Sequence, residues 1–204
     1  MSNKVFDPSK AFAQLRPYFQ PQVQMKNENI LPLFAVMLAL EVVLSRFLAI
    51  QMPMHKFSLS FIPIVFMAVR FGPMSGGIFA VACDLIGASL FPSGPFHLGF
   101  TCCAFLRGFI FGLFLHRPDK SAKKMVLAVI LAVLSEQILC SLLLTSLWLV
   151  FLFNKATSFS DMWVPYGAMM LSRVPQVLIN STIQIVVISA CLGLGQTLFK
   201  KKGA

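Results

Sequence analysis

Acidic side chains are scarce in this chain, with 7 Asp and Glu against 17 Lys and Arg, and charged residues of either sign make up only 12% of its 204 positions. Hydrophobic residues fill 57% of the sequence, and the mean hydropathy is +0.81. A soluble domain of this length cannot hide that much apolar surface in one core, so the solvent expected for most of the chain is lipid. Histidine is also sparse, and His55, His97 and His116 are scattered without an acid cluster around them, which excludes a metal centre. The five cysteines (Cys83, Cys102, Cys103, Cys140 and Cys191) form no Cys-x-x-Cys pair and fall inside apolar stretches, so they read as small packing residues. No Gly-x-x-x-x-Gly-Lys-Ser/Thr loop is present, so the chain cannot use ATP by itself. Ser75-Gly76 has no partner histidine in a plausible span, and no nucleophile–base pair converges elsewhere. The chain is therefore not expected to be an enzyme, and no cofactor is expected.

Six apolar stretches carry nearly everything else, at 31–50, 57–71, 73–91, 98–116, 125–153 and 164–199. Each is long enough, or nearly so, to cross a hydrocarbon core ~30 Å thick. The cations sit at alternate junctions. Lys4, Lys10, Arg16 and Lys26 precede the first stretch, and Arg70 lies between the second and third. Arg117, Lys120, Lys123 and Lys124 separate the fourth and fifth, and Lys200, Lys201 and Lys202 follow the sixth. The opposite loops hold only Lys56 and Lys155. Positive charge stays cytoplasmic, so both termini are placed inside, as an even number of spans requires. No basic face is interleaved with aromatics, so the net charge of +10 does not point to nucleic acid. The expected architecture is one all-α integral-membrane domain over 1–204. It comprises a cytoplasmic lead-in at 1–30, a six-transmembrane-helix bundle at 31–199 and a basic tail at 200–204. The polar start has no apolar core, so the first span is expected to be its own insertion signal. Segment 8–25 reads as a lead-in, with a short interfacial helix as the alternative, limited by Pro17 and Pro21.

Pro63 and Pro175 fall inside the second and sixth stretches, where proline is expected to kink a membrane helix and free a carbonyl. Phe91-Pro92-Ser93-Gly94-Pro95-Phe96-His97 reads as a stiff outer turn. Glu41, Arg46, Asp84, Arg107, Glu136 and Arg173 all lie within apolar stretches. A charge at the centre of a membrane helix costs ~2.5–3.5 kcal/mol on insertion scales, so such residues face the bundle or water and usually pair. At about 1.5 Å per residue, Arg46, Asp84, Arg107 and Arg173 fall in the middle-to-outer half of the bilayer, and Glu41 and Glu136 near the midplane. Three arginines against one acid leave surplus positive charge near the external mouth. That suits an anionic solute, because arginine makes bidentate contacts to carboxylates. Phe57, Phe61, Phe91, Phe96, Phe100, Trp148 and Trp163 gather at the outer ends, as an interfacial belt or as a stacking surface. Ala35 and Ala39 form a small-xxx-small pair in the first stretch, which lets another helix approach closely.

The order Phe61-Ile62-Pro63-Ile64, Phe71-Gly72-Pro73 with Gly76-Gly77, Asp84-Leu85-Ile86-Gly87-Ala88, Phe91-Pro92-Ser93-Gly94-Pro95 and Gly99-Phe100-Thr101 resembles the FolT family. These are the folate-specific S-components of energy-coupling factor (ECF) transporters. The likeness continues through Thr145-Ser146-Leu147-Trp148 and Arg173-Val174-Pro175, covering roughly residues 31–190. The resemblance implies a six-helix S-component that captures folate outside the cell. It implies docking on a membrane scaffold, the T-component, through the face of Ala35 and Ala39, with two cytoplasmic ATPase subunits supplying energy. Family members often carry Asn ahead of the Thr-Leu-Trp stretch, where this chain reads Leu144-Thr145-Ser146-Leu147-Trp148.

With folate as ligand, the residue chemistry distributes roles. Phe61, Phe100 or Trp148 would stack the pterin, and Asp84 would accept its N–H groups. Arg46 and Arg173 would hold an oxygen of the pterin or of the tail. The loop carrying Phe96 and His97, next to Gly99, and the loop around 51–57 would act as lids. Two other readings stay open. One is an S-component for another vitamin, pantothenate or riboflavin, and the other is a membrane subunit outside transport. The expected location is the cell membrane, multi-pass and in contact with lipid, in a Gram-positive-type bacterium.

Overall fold

The protein is described by a computed structural model over residues 30–51, 56–92, 96–116, 122–153 and 163–202. The lead-in, including segment 8–25, and Ser93, Gly94 and Pro95 of the outer turn lie outside the described residues.

The first rod, α1, spans Ile30–Val42 and widens into one π-helical turn, Val43–Phe47, which carries Arg46. That turn is closed by the Leu48 N–H on the Val43 carbonyl at 3.1 Å, five residues back. Two-residue strands follow, β1 at Ile50–Gln51 and β2 at Lys56–Phe57, paired antiparallel with Ile50 opposite Phe57. They are a small departure from the all-α expectation. The Ser58 hydroxyl then donates to the Leu44 carbonyl at 2.9 Å and accepts the Ser60 N–H at 3.1 Å. This ties the hairpin exit to the π turn, and α2 starts only at Phe61 and ends at Phe71.

The second apolar stretch is therefore an 11-residue helix and not a span from 57. It rises only about 16 Å, short of the ~30 Å of a hydrocarbon core. Pro63 sits in its first turn, where no intrahelical N–H is lost, so the expected mid-helix kink is absent there. Pro175, by contrast, lies inside its helix.

Gly72, at φ +90°, turns the chain between α2 and α3 (Pro73–Leu90), and Pro73 opens the new helix. Then come α4 (Leu98–Leu115), α5 (Ala122–Glu136), a π-helical stretch Gln137–Leu144, α6 (Thr145–Phe153) and α7 (Trp163–Lys202). The Thr145 hydroxyl donates to the Cys140 carbonyl, five residues back, at 2.7 Å, serving a carbonyl in the widened turn. At 40 residues, α7 is about 60 Å long, well beyond one bilayer core. Among the described residues, five stretches are long and apolar enough to cross a membrane: Ile30–Phe47, Pro73–Leu90, Leu98–Leu115, Lys124–Leu152 and Trp163–Gly193.

One core joins Phe61, Val65 and Ala68 of α2 to Phe111 and Leu115 of α4, Val129, Ala132 and Val133 of α5 and Ile188 of α7. A second packs Ile64 and Met67 of α2 on Phe79, Ala80 and Cys83 of α3, with Phe34 of α1 edge-on to Phe79 at 4.9 Å. Between α3 and α4 the backbones touch. A Cβ built on Gly76 would lie 2.9 Å from the Gly108 carbonyl oxygen and 2.6 Å from the Ala68 Cβ. The inward stripe of α7 is polar, with Arg173, Gln176, Ser181 and Gln184 all buried at helical spacing.

Candidate functional site

His97 caps the start of α4. Its backbone is extended, and its Nδ1 accepts the Gly99 N–H at 3.0 Å. The cap fixes the imidazole over the helix end, where it meets Trp148 of α6 with ring centres 5.1 Å apart, and Phe100 at 6.1 Å. A Cβ on Gly99 would collide with the indole, so Trp148 lies directly on the first turn of α4. Phe151 extends the aromatic row from Trp148 at 6.1 Å. One residue beyond Phe100, the Thr101 hydroxyl donates to Asp84 Oδ2 at 2.8 Å, bringing the carboxylate of α3 to the same end of α4. One turn further along α3, a Cβ on Gly87 would lie 3.1 Å from Nε and Nη2 of Arg46, so the guanidinium rests on bare helix backbone. Glycine at 87 lets the guanidinium come this close, and glycine at 99 leaves room for the indole.

Arg173 enters from α7. It is only 5% exposed, and its Nε and Nη1 are buried with no hydrogen-bond partner among the described residues. Cys103, one turn along α4 from Gly99, is buried as well. The same thiol packs with Cys140, Leu144 and Trp148. The indole N–H of Trp148 is buried without a hydrogen-bond partner among the described residues. Arg107 Nε donates to Glu136 Oε1 at 2.9 Å, across α4 and α5, and the Glu136 side chain is 0% exposed.

The sequence-predicted residues divide accordingly. His97, Gly99, Phe100, Trp148 and Asp84 converge at the start of α4, and Arg46 joins through Gly87; Arg173 is buried on the inward stripe of α7. Phe96 is next to His97 but exposed. Phe61 does not join them; at 3% exposure it is packed in the α2–α4–α5–α7 core, so its aromatic ring supports the fold and stacks nothing. The surplus of three arginines shrinks to two, because Glu136 takes the charge of Arg107. Ala35 and Ala39 are exposed on α1, away from these groups, while Phe34, Met37 and Leu38 face the core. Cys103 packs in a buried cluster, as its type implied, whereas sequence reasoning gave Thr101 no role; the Gly99-Phe100-Thr101 run, one helical turn after the His97 cap, was the available signal.

Chemically, the arrangement offers two guanidinium groups, one half-buried carboxylate and a row of aromatic faces. It fits a planar, hydrogen-bonding, anionic ligand.

Known proteins share both the sequence and the fold. The family model for the ECF transporter substrate-specific component matches residues 31–191. A "Folate transporter FolT" of Clostridium novyi (strain NT) is 36% identical over 132 residues, 65% of this chain and 74% of the relative. One of the same description from Leuconostoc mesenteroides is 30% identical over 153 residues, 75% of this chain and 78% of the relative. Among solved structures, FolT bound with folic acid superposes with a TM-score of 0.67 at 32% identity, covering 83% of this chain and 95% of that one. The S component of a bacterial ECF transporter superposes at 0.56 and 19% identity, over 84% and 96%, and carries the likeness of fold alone. By fold and by sequence over most of its length, this chain belongs to the substrate-specific components of ECF transporters.

Proposed function

We propose that this chain captures folate outside the cell and delivers it into a complex energised by separate ATPase subunits. The observation that carries the substrate is the likeness to the folic-acid-bound FolT structure across 95% of that chain. The local chemistry agrees with it. A pterin is planar and rich in N–H donors, and the glutamate tail is anionic. Trp148 and Phe100 offer faces to the ring, with His97 holding the indole in place. Asp84, already accepting from Thr101, has a second oxygen for the pterin. Arg173 and Arg46 take an oxygen of the ring or a tail carboxylate. Both termini face the cytoplasm, as the placement of the cations requires; residues 52–55 and 93–95, in the loops expected to act as lids, lie outside the described residues.

Arg173→Met tests the assignment. The substitution keeps length and removes the buried donors, and losing a charged partner in a desolvated site costs ~1.5–3 kcal/mol. Folate affinity in detergent, read from quenching of the two tryptophans, is expected to fall by roughly tenfold to more than a hundredfold. Unchanged affinity would remove Arg173 from the site. Competition against pantothenate and riboflavin tests the ligand itself: folate alone is expected to displace labelled folate, and displacement by either of the others would transfer the reading to that vitamin.

The partner face follows from α1. Ala35 and Ala39 lie one turn apart and are exposed, so a scaffold helix can approach closely there. Ala39→Phe is expected to leave folate binding by the isolated chain within twofold of native. It is also expected to abolish co-purification with the scaffold and ATPase subunits. Retained assembly would place the docking face elsewhere.

A further inference from the structure

Glu136 is the only acidic side chain on α4 through α7. Its side chain is 0% exposed. Arg107 Nε holds Oε1 at 2.9 Å, while Oε2 is buried without a partner among the described residues. Arg173 lies on α7 between Tyr166, whose hydroxyl donates to the Leu143 carbonyl at 3.3 Å, and Ile188, packed with Val129 and Val133, and so passes along the section that holds Glu136. The other cations of these helices, Lys123, Lys124 and Lys200 to Lys202, lie at their far ends. Two positive charges and one negative therefore meet in this section, for a net charge of +1.

We infer that Glu136 determines the charge specificity of the binding site: by cancelling Arg107 it leaves Arg173 as the one uncompensated cation that α4 through α7 bring to the ligand, beside Arg46 from α1. The inference rests on the folate reading and adds a residue to it that touches no ligand. Glu136 acts through its field. A unit charge about 10 Å away at an effective dielectric near 20 changes the affinity of an anion by about tenfold and leaves a neutral ligand nearly unaffected. A site with both arginines bare would hold any anion tightly and discriminate little. A site with neither would leave Arg46 alone to hold the carboxylates. The Arg107–Glu136 pair keeps it between these limits.

The experiment measures one ratio, the affinity for folate over that for its uncharged diester, which has the same rings. In Glu136→Gln the ratio is expected to rise by about tenfold, because Arg107 is then uncompensated. In Arg107→Gln it is expected to fall by a similar factor. In the double variant the net charge returns to +1, and the ratio is expected within about threefold of native. Glu136→Gln and the double variant bury no unpaired carboxylate, so they decide the matter if Arg107→Gln does not fold. A structural role for the pair would shift both affinities together and leave the ratio alone. An unchanged ratio in folded Glu136→Gln, or a double variant that departs as far as the single, overturns the inference while the folate reading stands. A native protein that binds neither compound overturns both.

Discussion

Gly108→Leu is expected to yield no folded bundle. A Cβ at Gly108 would run into the Gly76 carbonyl and lie 2.8 Å from the Gly77 nitrogen. One turn along α4, a Cβ on Gly112 would lie 2.6 Å from the Pro73 nitrogen. Every obstructing atom is backbone, so no side chain can swing aside. Overpacking a core whose side chains can shift costs ~1–3 kcal/mol. Here the α3–α4 contact itself must open, which separates the Asp84–Thr101 bond and the helix start that carries His97 and Trp148's seat. Even Gly108→Ala is expected to lower the melting temperature by several degrees, since ~1 kcal/mol shifts Tm by ~2–4 °C in a chain of this size. Gly167 is the control, because a Cβ there meets nothing within 4 Å. Gly167→Ala is expected to be neutral, or stabilising by up to ~1 kcal/mol from helix propensity. Thermal unfolding in detergent, with the monodisperse fraction from gel filtration, reads all three. A folded, native-like Gly108→Leu would mean that the α3–α4 contact is loose.

That contact also marks where the sequence could and could not be read. The long apolar runs located α1, α3, α4, α5–α6 and α7 to within a few residues, because lipid demands that every backbone group bond within its own helix. The second run failed for a specific reason. Hydropathy treats Phe57 to Phe61 as continuous apolar chain, but Ser58 and Ser60 bond locally and hold that segment out of the helix. Gly108 and Gly112 stand at small-xxx-small spacing, like Ala35 and Ala39, yet one pair faces the inside and the other is exposed. Spacing alone does not tell a pair that closes a bundle from one left open. Single residues of the site were legible by type: arginines and an acid in apolar surroundings are costly, and aromatics cluster at outer ends. Their partners were not. Arg107 and Glu136 are 29 residues apart, and the π-helical stretch that follows Glu136 has no signature in hydropathy. Phe61 looked like the other outer aromatics and is core because α2 is short and turned inward.

Arg107→Met is the second substitution with a large expected effect. It leaves the Glu136 carboxylate fully buried with its only hydrogen-bonded cation gone. Breaking a buried pair from one side costs ~3–5 kcal/mol, much of it from the charge left behind. A membrane-embedded bundle offers no cheap relaxation, because the helix interior admits little water. Glu136→Leu is expected to be milder, since Arg107 is about one-third exposed and its long side chain can carry the guanidinium toward a wetter region. The double variant Arg107→Met, Glu136→Leu removes both charges and fills the space with apolar atoms, and such replacements are often neutral or stabilising by ~1–4 kcal/mol. The order of stability is then native and double variant together, Glu136→Leu below them, Arg107→Met lowest. Unfolding of the four proteins in one detergent gives a double-mutant cycle whose coupling energy isolates the pair. Additive losses, with the double variant the least stable of all, would mean that the two side chains act separately and that the 2.9 Å contact contributes nothing to holding α4 against α5.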